Sequence, residues 1–158
     1  LQAAKKVPRR VLNDAGVMTL VYRPETRLAF SGQAGEAEAL ARLAAAAGYD
    51  VVDLREESKL DTVVDPFTAV VLLHHDIDAE ERVLEAALHT DAFYIGALGS
   101  TRTHRRRIER LYQQGITPEL ADRIRAPIGI FGPTRDSMSL AISVLADISA
   151  ARLEKHGA

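Results

Sequence analysis

The sequence predicts an α/β domain: a doubly wound, Rossmann-like, mostly parallel sheet flanked by helices. Three observations predict it. Short apolar runs without polar alternation recur at 28–30, 51–54, 69–73, 93–95 and 128–131, as strands covered on both faces require. Stretches with helical spacing stand between most of them. Glycine-bearing turns follow the first, fourth and fifth runs.

Taken in order, residues 1–24 read as an N-terminal strand and linker segment, the remnant of a longer protein, and 25–158 as the Rossmann-like domain. Within the first segment, 17–22 (VMTLVY) reads as one strand between the Asp14-Ala15-Gly16 turn and Pro24. Ala37, Leu40, Ala41, Ala44 and Ala47 form the stripe of the first helix, which Gly48 closes. The connection 55–68 is short, polar and contains Pro66, so it should carry little helix. Val83, Leu84, Ala87 and Leu88 mark a second long helix; Ile108, Leu111 and Tyr112 mark a third, ended by Gly115. Thr117-Pro118 opens a short helix as N-cap and first helical residue. The last helix runs from about Asp136 to Leu153. Its stripe of Met138, Ala141, Ile142, Leu145 and Ile148 is expected to pack on the sheet. Leu140, Val144 and Ala151 give it a second apolar face, which suits a homodimer partner, a further N-terminal domain or burial under residues 1–22.

Composition narrows the function classes. The 158 residues are 47% apolar and 27% charged, as in ordinary globular domains. The chain has no cysteine, which excludes a disulfide scaffold, a Cys-ligated zinc and a thiol nucleophile within it. A net charge of −2 gives no drive toward nucleic acid or anionic membrane. The apolar runs fall far short of a membrane span, and no signal peptide is visible. A cytoplasmic location follows as the expectation.

Ligands of open α/β sheets sit outside the carboxyl ends of the strands. After the first run comes Gly32-Gln33-Ala34-Gly35-Glu36, small residues where a backbone approaching a pyrophosphate needs them. Asp53, at the end of the second run, is placed to accept ribose hydroxyls; a solvated strand-end Asp fits equally. Arg55 beside it would accommodate a 2′-phosphate. Gly96-Ala97-Leu98-Gly99-Ser100 forms a second turn, with Ser100 as a cap and free N–H groups as an anion nest. If that strand neighbours the first, the usual order, the two turns face each other across the switch crevice. The third turn carries Arg135, a phosphate or carboxylate partner, with Thr134 or Asp136 capping the last helix. Arg102, nearest its helix start, is the phosphate candidate of an Arg-rich helix whose remaining members, Arg105 to Arg110, read as a solvated face. Adjacent His74 and His75 point opposite ways, so His75 lines the pocket and no metal site is expected. No catalytic set is recognisable.

The string FYIGALGS (93–100) followed by Arg102, with APIG (126–129), AISVLADI (141–148), Asp53-Leu54-Arg55 and His75-Asp76, resembles the C-terminal Rossmann-type domain of the xanthine dehydrogenase accessory factors, the XdhC/CoxI family. The resemblance implies a maturation factor that binds molybdopterin and helps deliver it to a molybdenum hydroxylase apoenzyme. Three departures stand out. The family's N-terminal domain with its cysteine motif has no counterpart here; Ala34 replaces a usual Gly; and Asp136-Ser137-Met138-Ser139-Leu140 replaces the usual T-P-E-E-I. The cofactor expectation is therefore molybdopterin or NAD(P) held by the glycine turns. An NAD(P)-dependent oxidoreductase using the same crevice is the alternative, with His75 and Tyr94 as its only proton donors by position.

Overall fold

The structure, a computed structural model, describes residues 7–12, 15–32, 34–54 and 60–157. Two strands, β1 (Val7–Leu12) and β2 (Met18–Arg23), pair antiparallel with Val7 opposite Arg23, and Gly16 takes φ +73° in the turn. The second strand was expected. The first is hidden in the sequence by Pro8 and the Arg9-Arg10 pair.

The remaining strands are β3 (Arg27–Gly32), β4 (Asp50–Asp53), β5 (Thr68–Leu73), β6 (Tyr94–Ala97) and β7 (Ile124–Arg125). They form one parallel sheet in the order β4-β3-β5-β6-β7, so the doubly wound prediction is borne out. Among the described residues six helices accompany them: α1 (Ala34–Ala46), α2 (Leu60–Val63), α3 (Ile77–Leu88), α4 (Thr101–Gln113), α5 (Pro118–Ala121) and α6 (Ser137–His156). Strand side chains alternate between two cores, as pleating demands. Leu28, Ala69, Val71, Leu73 and Tyr94 pack on α1 and α6. Ala29, Val70, Leu72, Ile95 and Ala97 pack on α3, α4 and the short helices α2 and α5.

Three expectations change. First, the strand ending in Ala97 does not neighbour β3; β5 lies between them. All six β5 residues are buried, and the one polar side chain in TAVVLL, Thr68, has its hydroxyl bonded to Asp65, so the strand takes the centre. Second, 128–131 is a bend and the fifth parallel strand is Ile124–Arg125. Pro127 and Pro133 bracket the apolar run, Gly129 takes φ +97°, and Ile130 and Phe131 turn outward. Third, α6 packs through Ala141, Val144, Leu145, Ile148 and Ala151, whereas Met138 and Ile142 are 43% and 48% exposed. The helix is rotated because it must meet α1 as well as the sheet, which pulls the face of Val144 and Ala151 inward.

Candidate functional site

Counting only the parallel strands in chain order, the arrangement is second-first-third-fourth-fifth, which puts the switch point between β3 and β5. Close to it, at the carboxyl edge of the sheet, lies a cavity of about 950 Å³. Its walls come from the first turn of α1, the β5–α3 turn, the β6–α4 turn, the segment from Pro127 to Asp136 and the start of α6. Leu98, Ile128, Ile130, Phe131 and Leu140 make the apolar part; Glu36, His75, Ser100 and Arg135 make the polar part.

Each wall has a local cause. Gly99 takes φ +129°, a left-handed backbone that a side chain disfavours, and a Cβ there would stand 2.9 Å from Thr103 Cγ2. Ser100 then caps α4, its Oγ accepting from Thr103 N at 3.2 Å. On α6 the cap is Asp136, whose carboxylate accepts from Ser139 N at 2.8 Å and from Ser139 Oγ at 2.6 Å. Those bonds hold the Asp136 carboxyl below its ordinary range. The loop over the cavity is tied to buried Ser143: Phe131 N donates to its Oγ at 3.0 Å, and that hydroxyl donates to Phe131 O at 2.7 Å. Ser143 was not foreseen; its signal is a lone hydroxyl within the apolar AISVLADI.

The two histidines diverge as expected. His74 Nε2 meets Ser31 Oγ at 2.8 Å, and burial, more than the opposing Asp76, lowers its pKa. His75 Nε2 meets Glu36 Oε1 at 3.1 Å on the cavity wall. Among the described residues no cluster of three or more His, Cys, Asp or Glu could hold a metal.

The structure thus gathers Glu36, His75, Gly99, Ser100 and Arg135 around one cavity. Gln33 and Arg55 lie outside the described residues. Asp53 ends β4 at the sheet edge, in register with Phe30, and does not line the cavity. Gly32 ends β3 where a Cβ would come within 2.6 Å of Leu73. Gly96 is buried inside β6, where a Cβ would press on Ile128 and Tyr94 at 2.5 and 2.6 Å. Strand packing alone therefore calls for both glycines. Ala34 opens α1, Gly35 is exposed in the same turn, Ala97 is buried in the core, and Arg102 is exposed on α4 away from the lining.

The reading of Arg105 to Arg110 as a solvated face needs correction at two positions. Arg107 is 1% exposed and its Nε pairs with Glu80 of α3, itself fully buried. Its Nη2 donates to Leu98 O at 2.7 Å, which fixes the backbone just before Gly99. Arg110 pairs with Asp78 and, at 2.5 Å, with Glu81. The Arg107–Glu80–Leu98 set holds the β6–α4 turn from beneath. Tyr94 is also committed: its hydroxyl donates to Asp147 Oδ2 at 2.7 Å, while Arg125 meets Asp147 Oδ1 at 3.1 Å. Burial and that carboxylate push the phenol far above its ordinary pKa. It faces α6 rather than the cavity, so it does not serve the oxidoreductase alternative.

Comparison with known proteins adds an independent line. Residues 28–148 match the family described as the XdhC Rossmann domain. Over 137 residues the chain is 46% identical to a protein of Escherichia coli K12 named molybdenum cofactor insertion chaperone PaoD. That alignment takes in 85% of this chain and 43% of PaoD, so the chain spans less than half the length of that relative. Among solved structures, a Bacillus halodurans protein described as a xanthine dehydrogenase superposes with a TM-score of 0.68, covering 91% of this chain and 48% of its own. At 19% identity that likeness speaks for the fold.

Proposed function

The chain belongs to the XdhC Rossmann-domain family, and from that premise we propose that it holds molybdopterin as cargo for insertion into a molybdenum hydroxylase apoenzyme. The observation that carries the reading is the strand-end cavity in a chain so similar to a protein named as a molybdenum cofactor insertion chaperone. Its chemistry fits the cargo. Molybdopterin joins a pterin heterocycle with hydrogen-bonding edges to a phosphate-bearing side chain. The apolar wall of Leu98, Ile130 and Phe131 suits the ring. Arg135 and the N–H groups opening α4 suit the phosphate. The dinucleotide alternative lacks such support, because Asp53 stands apart from this cavity.

In this reading the domain is a carrier without a chemical step of its own, working in the cytoplasm. Among the described residues no helix is long and apolar enough to cross a membrane. Met138, Ile142 and Leu153, exposed on α6, support a homodimer contact through that helix. Sedimentation at micromolar concentration should give a dimer that Ile142→Asp converts to monomer.

Reconstitution tests the carrier role. An apo molybdenum hydroxylase supplied with molybdopterin should regain activity faster with this chain than without it, and the Arg135→Glu variant should lose that advantage. Equal rates with and without the chain would count against the proposal.

A further inference from the structure

We infer that Glu36, held by His75, selects cargo by an amino-oxo pyrimidine edge: a ring N–H beside an exocyclic amine, the pattern that pterins share with guanine. The inference rests on the cavity being the cargo site and goes on to assign the group that recognises the cargo.

Glu36 sits in the first turn of α1, beside the switch point. Its side chain is 24% exposed, and Oε1 receives His75 Nε2 at 3.1 Å. An ionised carboxylate offers about four acceptor sites, and the histidine bond uses one. The group can therefore take two parallel N–H donors, as carboxylates take the fork of a guanidinium. A pterin or guanine edge presents such a fork. A heterocycle without the exocyclic amine offers a single donor, and an edge of carbonyls sets lone pairs against lone pairs. Selection by donor pattern follows.

The charge layout also orients the ligand. Glu36 and His75 come from the β3 and β5 side of the cavity; Arg135 comes from the loop after β7, and the start of α4 follows β6. An anionic tail is repelled by Glu36 and attracted by Arg135 and the α4 terminus. Asp136, next to Arg135, has its carboxylate engaged by Ser139. The ring edge is left to face Glu36, with the apolar wall between the two ends.

The test titrates the purified chain with a hydroxymethylpterin phosphate, its analogue lacking the exocyclic amine, guanosine monophosphate and inosine monophosphate. The native chain should prefer each amine-bearing probe about tenfold or more over its partner. Glu36→Gln should erase that preference by weakening the amine-bearing probes more than their partners, whose single donor the amide oxygen still accepts; retained binding of the analogues serves as its folding control. Arg135→Ala should weaken all four alike. Guanosine monophosphate bound as tightly as the pterin would keep the role of Glu36 and assign the site to a guanine nucleotide. Pterin binding that Glu36→Gln leaves intact would overturn the inference while sparing the cargo reading. Binding of none of the four would overturn both.

Discussion

Replacing Arg107 by Met tests how the β6–α4 turn is held. Arg107 and Glu80 form an ion pair in which both residues are essentially inaccessible to solvent. Removing one partner strands the other charge, which typically costs about 3–5 kcal/mol. At roughly 2–4 °C per kcal/mol for a chain of this size, the melting temperature should drop by about 6–20 °C. Burial raises the Glu80 pKa while Arg107 opposes that rise, so the variant should raise it further. A raised folded pKa stabilises below the ordinary carboxylate range and loses that contribution as pH climbs through the folded value. The deficit of Arg107→Met should therefore grow from acid toward neutral pH, as measured by urea unfolding across a pH series. The pair is also imperfect, since Glu80 Oε2 and Arg107 Nη1 lack hydrogen-bond partners among the described residues. Glu80→Leu combined with Arg107→Met should accordingly recover most of the stability. A single-variant loss below about 1 kcal/mol, flat with pH, would mean that the pair does not hold the turn.

Three further outcomes are expected. Tyr94→Phe removes a buried donor to the Asp147 carboxylate and should cost about 1.5–3 kcal/mol in chemical unfolding; the native phenol should not ionise in an alkaline absorbance titration until the fold is lost. Ser100→Ala removes the α4 cap and should cost about 1 kcal/mol, with a matching loss of amide-exchange protection in that helix's first turn. The lowered pKa of Asp136 means that its capping contribution is present above the ordinary Asp value and lost as pH falls through the lowered one. Asp136→Ala should thus flatten the acid side of the stability profile, and an unchanged acid limb would contradict that assignment.

The sheet was legible where its strands carry short apolar runs without polar alternation, most fully in β5 and β6, and the helices because Gly48, Gly115, Thr117 and Asp136 mark their ends. Strand order was less legible. Nothing local tells the run 69–73 that it sits between β3 and β6; that follows from packing both of its faces. Ile128 to Phe131 misled for the opposite reason, because an apolar run between two prolines looks like a strand when it is a cavity wall. Glu36, His75, Gly99, Ser100 and Arg135 could be picked from their places after the strands. Arg107 could not, since a run of arginines on a helix does not reveal which one turns inward to meet a glutamate on α3. Ser143 escaped because its partners are backbone atoms of a loop whose path only the fold defines.

Isothermal titration of the chain with molybdopterin, repeated with Arg135→Glu, asks whether the strand-end cavity is the cargo site. One binding site per chain is expected, weakened at least about tenfold by the substitution, with the melting temperature of the free protein unchanged. Absence of binding, or binding indifferent to Arg135, would rule out that role for the cavity.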